Sequence, residues 1–421
     1  MFHNHYKQQT AACVAGIKGV QIRKAYKFRL YPNATQQQAL AVEFGHARFV
    51  YNHFLAVRRE HYTQTKAGLS YADTTGRLAI LKHHPAHLWL QEADSQVLQQ
   101  KLKDLDRAFK NFFEGRARYP RFRSRRHRQS IRYPQRVKVD LATGRSYLPK
   151  VGWVKTVFHR SLEGRIKNVT VSRTKSGRYY ASFQVELEIP DPTYRGKAVG
   201  LDLGLRAFLA CSDGQKIANP RYLVQAERRL RRLQRSLSRR QKGSRGWEGQ
   251  RLKVARQHEK VADQRSDFQH KLSHRLVEEH RLIAVETLHI KGMVRNRRLA
   301  RRISDAGWGQ FLQMLAYKGD WYGCEVVAAD RWYPSSKTCS VCGVEMETMP
   351  LQVRNWNCPS CGSHHDRDVN AAKNILKHTT AGTAERRNHR LRHADGVHVR
   401  PASYQMQAGT QKSEAKYSSS W

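Results

Sequence analysis

The stretch "CPSCGSHHDRDVNAAKNIL" (Cys358–Leu376) sets two unlike kinds of ligand side by side. A Cys-x-x-Cys pair supplies thiolates for a soft or borderline metal ion. The acid pair Asp366 and Asp368 supplies hard oxygen ligands just before a run with helical spacing. The thiolates have partners upstream. Cys339-x-x-Cys342 is followed by fifteen residues and then by Cys358-x-x-Cys361, the spacing of a two-knuckle zinc ribbon. Four thiolates close a tetrahedral shell, so the spacing predicts one structural Zn2+. A redox Cys-x-x-Cys needs one pair, not two at this distance. His364 and His365 are then read as polar loop residues, because four cysteines already saturate the ion. Cys13, Cys211 and Cys324 are scattered and read as ordinary buried thiols, not as a secreted disulfide framework.

The carboxylates extend the pattern. "VGLDLG" places Asp202 inside an apolar strand, and "RLIAVETL" (Arg281–Leu288) closes a second strand with Glu286. Asp368 opens "DVNAAKNIL", where a negative charge suits a helix N-terminus. Any one of these acids is commonplace. Together they put an acid on a first strand, another on a later strand and a third at the start of a terminal helix. That is the RNase H-type arrangement of a nuclease using two Mg2+ ions. Such ions, about 3.5–4 Å apart, activate water and stabilise the leaving oxygen in phosphodiester cleavage.

Charge points to the same partner class. The chain of 421 residues holds 77 Lys+Arg against 34 Asp+Glu, a net charge of +43. Self-repulsion on that scale opposes folding and calls for a polyanion, nucleic acid by default. No run approaches the ~18 apolar residues of a spanning helix, so no membrane partner is expected. The densest basic segment, "RARYPRFRSRRHRQSIRYPQR" (Arg116–Arg136), contains nine arginines and no acid, with Tyr119, Phe122 and Tyr133 among them. Guanidinium forks suit phosphates and aromatic faces suit bases, which makes Arg121, Arg123, Arg125 and Arg126 candidate nucleic-acid contacts. The competing reading is a solvated linker.

The rest of the chain supplies the frame. Residues 1–21 carry no pattern and are expected to be a disordered extension. "IRKAYKFRLYPN" (Ile22–Asn33) reads as a strand ending in a turn. Helical spacing follows from Thr35 to about Phe113, and a β-rich region runs from there to Pro190, with a hairpin turn at Thr174–Gly177. A small β-barrel formed by that region and the early strand, with the helices inserted between, is expected. "AVGLDLGLRAFLACSDGQKI" (Ala198–Ile217) reads as a second β region. Two polar helices then form a hairpin broken at Gly243–Gly249, the second running to about Glu279. "KGMVRNRRLARR" reads as a basic loop, and Ser304 as the N-cap of a helix through Gly323. The tail from 379 to 421 is expected to be disordered.

Through "RLYPN", "ARFVYNHFL", "FKNFF", "YPRFR", "GLDLG", "SDAGWGQF", "PSSKTCSVCG" and "CPSCGSHHDRDVNAAKNI", the chain resembles the TnpB family from about Arg23 to Leu376. These are transposon-encoded, OrfB-type RNA-guided nucleases related to type V CRISPR effectors. The resemblance implies a multidomain α/β protein. It would comprise a wedge-type β-barrel (22–33 and 116–194), a helical recognition insert (34–115), a RuvC-like, RNase H-like nuclease domain (195–334 and 366–378) and a zinc ribbon inserted in the latter (335–365). It assigns catalysis and Mg2+ ligation to Asp202, Glu286 and Asp368, with Asp366 a neighbour, and zinc to Cys339, Cys342, Cys358 and Cys361. The ribbon would staple the loop that leads into Asp368. The implied partners are a guide RNA from the transposon end and target double-stranded DNA flanked by a short motif. The expected form is a monomeric protein in a ribonucleoprotein of the prokaryotic cytosol or nucleoid. Base pairing would read the target and protein side chains the flank. Ser95, Gln99 and Gln100, with Tyr71 on an earlier helix, are candidates for that reading, although a Lys tends to stand at the place of Ser95 in the family. A catalytically silent RNA-guided binder or repressor is the alternative if the acids do no chemistry, and a conventional transposase is the third reading. A basic zinc-ribbon protein without catalysis leaves the three acids unexplained.

Overall fold

A computed structural model describes residues 19–381 except His127, Asp191 and Leu351. The expectations for residues 1–18 and 382–421 lie outside the described residues. Val20 and Gln21 belong to the first strand and residues 379–381 to the last helix. The chain divides into two compact units, residues 19–190 with Leu237–Arg256, and residues 192–236 with 257–381.

The first unit opens with β1 (Val20–Tyr31), whose alternation sends Tyr26, Phe28 and Leu30 into a core. Pro32-Asn33 is the turn expected there. Asn33 also starts a helix: its side chain accepts from the Gln36 amide at 2.9 Å while the Gln36 side chain accepts from the Asn33 N–H at 3.1 Å. The helices are α1 (Ala34–Thr65), α2 (Tyr71–His83) and α3 (Ser95–Phe113), with a 3-10 segment Pro85–Glu92 before the last. Val50, Phe54 and Leu55 of α1 pack with Leu78 of α2 and Leu98, Leu102 and Leu105 of α3.

Six further strands complete the sheet: β2 (Gln129–Tyr133), β3 (Lys138–Asp140), β4 (Arg145–Leu148), β5 (Gly152–Val157), β6 (Arg165–Arg173) and β7 (Tyr179–Ile189). All are antiparallel in the order β2-β6-β7-β1-β5-β4-β3. The expected barrel is therefore an open sheet. It curls around one core, since Ile131 near one edge and Leu148 near the other join Phe28, Phe44 and Val97 in a single cluster. Among the described residues, however, the edge strands β2 and β3 do not pair. The β6–β7 turn is the expected one, with Gly177 at φ +85°.

The second unit is built on a five-stranded sheet of β8 (Lys197–Leu203), β9 (Ala207–Cys211), β10 (Lys216–Ala218), β11 (His280–Glu286) and β12 (Glu325–Ala329), in the order β10-β9-β8-β11-β12. The first three form an antiparallel meander, and β8, β11 and β12 run parallel. Helices α4 (Tyr222–Ser238) and α5 (Arg245–Glu279) come between β10 and β11. The break between them is shorter than expected, with Gly246 and Gly249 already inside α5. The expected basic loop after β11 contains α6 (Ile290–Met293) and leads into α7 (Ala300–Ala306). Ser304 is consequently interior to α7. Gly307, left-handed at φ +67°, separates α7 from α8 (Trp308–Tyr322), because only a residue without Cβ takes that conformation cheaply. After β12 come β13 (Asn355–Asn357), β14 (His364–Asp366) and α9 (Arg367–Ala381).

Strand alternation divides the two faces of this sheet. Leu201, Ile283 and Val285 pack with Phe311 and Leu315 of α8 and Leu272 and Leu276 of α5. On the opposite face Leu282, Ala284 and Ala329 pack with Ile375 of α9. Cys211 and Cys324 are the buried thiols expected, both pushed up to about 12 by burial.

Candidate active site and metal centre

The same alternation places the acids. Residues 200 and 202 of β8 share a face, as do 282, 284 and 286 of β11, and this is the face on which α9 lies. Leu201 pairs with Val285 in parallel register, so Asp202 and Glu286 follow side by side at the strand ends. Asp368 stands in the first turn of α9. The helix comes close because residue 200 is glycine: a Cβ there would sit 2.0 Å from the Ala372 carbonyl oxygen and 3.0 Å from the Leu376 Cβ. Ala372 is one helical turn beyond Asp368, so this close contact seats the N-terminal end of α9 over Asp202.

All three acids are half-buried. Burial pushes the Asp202 carboxyl well above the usual carboxylate range. The charges of Glu286 and Asp368 push it further, and Arg367 and Arg354 oppose them. Burial alone pushes Glu286 up to about 7. Asp366 has a different task. Its Oδ1 accepts from the Asp368 and Val369 amides, both at 3.1 Å, which caps α9, and its Oδ2 meets Lys216 Nζ at 2.6 Å. Burial raises Asp366, but Lys216 and the capped amides hold it below the ordinary value.

Cys339, Cys342, Cys358 and Cys361 converge until their Sγ atoms all lie within 4.8 Å of one another, a grouping able to hold a metal ion. The thiols cannot all ionise at that distance without a cation. Burial raises Cys339, but the Cys342 amide, Ser363, the Val341 amide and His365 outweigh it and bring it down to about 5. Cys342 goes the other way, to about 11: the Val344 amide lowers it, and burial with the neighbouring thiols Cys361, Cys358 and Cys339 raises it. The donor set fits a closed tetrathiolate site. His365 is not a polar loop residue. It is buried on β14 against Trp356, with Nε2 at 3.1 Å from Cys339 Sγ and 2.9 Å from Ser363 Oγ.

The cysteine cluster and the acids are joined by residues that sequence reasoning passed over. Asn370 and Asn374, one turn apart on α9 and both buried, grip the first knuckle. Asn370 Nδ2 donates to the Thr338 carbonyl at 2.7 Å and its Oδ1 accepts from the Ser340 amide at 2.9 Å. Asn374 Nδ2 donates to the Ser335 and Thr338 carbonyls at 2.9 and 2.5 Å. Lys377 reaches the Ser340 carbonyl. Arg354 lies just before β13, and its Nη1 is 3.4 Å from Asp368 Oδ1. The i, i+4 asparagines inside "DVNAAKNIL" were the available signal, since an amide on the packed face of a helix needs a partner.

The proposed flank-reading residues lie in the first unit. Ser95 and Gln99 are exposed and one turn apart on α3, and Gln100 is less so. Lys82 donates to Ser95 Oγ at 2.9 Å, and Lys103 lies 5.5 Å from the Tyr71 ring centroid, so two lysines missed by the sequence reading join this surface. Arg121, Arg125 and Arg126 are exposed. Arg123 is engaged within the fold: its guanidinium lies 3.7 Å from the Tyr51 ring centroid and its backbone exchanges hydrogen bonds with the Asn52 side chain.

The OrfB family profile described as "Probable transposase" matches residues 182–297. A profile described as "Cas12f1-like, TNB domain" matches 308–375, and an OrfB "Helix-turn-helix domain" profile matches 22–67, which here are a strand and one long helix. Two curated relatives share the name "Putative RNA-guided DNA endonuclease". One, from Streptomyces pristinaespiralis, is 40% identical over 86% of this chain and 91% of its own length. The other, InsQ of Escherichia coli (strain K12), is 36% identical over 84% and 91%. The TnpB-like protein L79 of Acanthamoeba polyphaga mimivirus is 36% identical over 28% of this chain and 24% of its own. A solved Cas12f1-sgRNA-target DNA complex aligns with 84% of this chain at 17% identity and a TM-score of 0.32, too loose a fit to carry argument. No helix among the described residues is long and apolar enough to cross a membrane.

Proposed function

The chain belongs to the TnpB family of RNA-guided DNA endonucleases, and from that premise we propose that it cuts target double-stranded DNA at Asp202, Glu286 and Asp368. One observation carries the assignment: two acids end adjacent parallel strands in register, and the third opens the helix packed on their shared face. An antiparallel meander followed by parallel crossovers, with acids at these points, is the RNase H-like, RuvC-type plan. Burial first, and then the charges of Glu286 and Asp368, raise Asp202, and a divalent cation among the three carboxylates would offset both. Asp202, Glu286 and Asp368 would hold two Mg2+ ions, whose chemistry is to activate water and neutralise the leaving oxygen of a phosphodiester.

The remaining roles fall to this chain's own side chains. Gly200 admits α9, Asp366 caps it, and Arg354 steadies the Asp368 carboxylate while offering a guanidinium to a nearby phosphate. The four cysteines would hold one structural Zn2+, and with that site closed Asn370 and Asn374 would fix the segment leading into Asp368. A guide RNA from the transposon end pairs with the target. Ser95, Gln99 and Tyr71, with Lys82 and Lys103, are the proposed readers of the flanking duplex. The working form is one protein copy with its RNA in the prokaryotic cytosol.

The test is to purify the chain together with RNA expressed from its transposon end, sequence that RNA, and offer a matching target. Asp202→Asn, Glu286→Gln and Asp368→Asn should each reduce cutting to background while target binding persists. Cutting by Asp368→Asn at the wild-type rate would overturn the triad. A wild-type complex that binds its target and never cuts would support the silent-binder reading.

A further inference from the structure

We propose that Arg331 and Trp332 form a stacking platform for an unpaired base of the DNA strand at the carboxylate edge, an inference that rests on the nuclease reading of that edge. Strand β12 ends at Ala329, the register partner of Glu286, and Thr287 Oγ1 donates to the Ala329 carbonyl at 2.7 Å, tying the two strand ends together. The chain then turns tightly, with Asp330 Oδ1 accepting from the Trp332 amide at 2.7 Å. On the far side Tyr333 stacks on His378 of α9, centroids 4.1 Å apart and planes 15° off parallel. Trp332 is thus held by its neighbours on both sides, yet the residue is 79% exposed, more than any other large apolar residue among the described residues.

A lone exposed apolar residue is unremarked on most surfaces. Here the indole is paired with a cation, on the turn that follows the strand end registered with Glu286. The Arg331 guanidinium lies 4.7 Å from the Trp332 ring centroid, and its Nη2 is 3.4 Å from Nδ1 of His289, three residues past Glu286. Trp332 is three residues beyond Ala329, so its Cα lies within roughly 16 Å of that of Glu286. That reach spans about five stacked nucleotides. A duplex already has its base faces covered, whereas a strand displaced by a guide has them free. An indole under such a base is tolerant of sequence, and the guanidinium beside it suits the adjoining phosphate. Trp332 would then hold the strand in line with the acids and would itself perform no proton or metal chemistry.

The experiment uses the full chain loaded with its RNA, in an Asp202→Ala background, bound to targets carrying one 2-aminopurine stepped along each strand. Quenched emission is expected at one or two adjacent positions. Trp332→Ala should restore it there, and Trp332→Phe should keep part of the quench. With Asp202 intact, Trp332→Ala should slow cutting by about 5- to 150-fold without changing which guides are accepted. Superimposable emission profiles for Trp332→Ala and its parent at every position would overturn the platform. A Trp332-dependent quench in a protein that never cuts would instead sink the nuclease reading and leave the platform standing.

Discussion

Glu43 shows what a single residue can hide. It is buried in α1, with Oε1 accepting from the Asp94 amide at 3.0 Å and Oε2 meeting no partner. Burial raises its carboxyl to about 7, the Asp94 amide and Lys150 opposing and Asp94 adding to the rise. Tyr133 shares the neighbourhood, its own hydroxyl buried without a partner. A carboxyl raised on folding stabilises the fold when protonated. That contribution is complete below the ordinary value of 4.5 and is lost as pH rises through about 7. Glu43→Gln keeps an acceptor for the Asp94 amide and removes the titration. Its urea unfolding free energy should exceed the wild type's by up to about 3 kcal/mol near pH 8, with the gap closing below about pH 5. Equal curves at both pH values would mean that Glu43 titrates normally. Nothing in "LAVEFGHARF" marks this acid as buried, because a helical repeat leaves the exact edge of its apolar stripe open.

At the scale of an element, the pairing of β8 with α9 decides the site. "GLDLG" is legible as a strand bearing an acid, and "DVNAAKNIL" as a helix starting on one. That the helix backbone rests on Gly200 is a tertiary fact. Gly200→Ala should therefore destabilise the second unit by about 1–3 kcal/mol through overpacking. In the folded fraction it should cut cleavage on the order of 100-fold, since Asp368 moves with α9. Gly45 is the control. It lies inside α1 with nothing within 4 Å of an added Cβ, and Gly45→Ala should stabilise by roughly 0.5–1 kcal/mol and leave cleavage unchanged. Thermal melts and single-turnover cleavage of both variants check the contrast, and wild-type behaviour of Gly200→Ala would remove the close packing from the account.

For the whole molecule the governing quantity is the net charge of +43. Its densest run is not uniform. Arg121, Arg125 and Arg126 face solvent, while Arg123 is packed on Tyr51. Alanine at each of the first three should flatten the dependence of log affinity for RNA or DNA on log salt, by about 0.7–0.9 per lost phosphate contact. Arg123→Ala should instead lower the stability of the first unit, because it strips a cation from an aromatic face and leaves the segment after Pro120 less well tied to α1. Filter binding across a salt series separates the two, and an unchanged slope in the triple variant would return the run to a solvated loop.

The sequence by itself carried the charge excess that calls for a polyanion, the ribbon spacing of the four cysteines and the placing of three acids at strand and helix ends, because charge, ligand spacing and strand alternation are local and periodic and need no knowledge of what packs where. It also marked β1 by alternation, the β6–β7 turn by its turn residues and the helices of the insert by their apolar spacing. Tertiary structure alone decided that the antiparallel sheet stays open at β2 and β3, since edge pairing joins segments far apart in the chain. It decided that "KGMVRNRRLARR" winds into short helices and that Ser304 is interior to one of them, because a turn of helix with a weak local signal forms where its neighbours pack on it. It made His365 a partner of Cys339, and Asn370 and Asn374 a clamp, because polar groups carried into a buried interface must find each other there. And it set Asp368 over Asp202 by the missing Cβ of Gly200, a contact between residues 172 positions apart that no local pattern encodes.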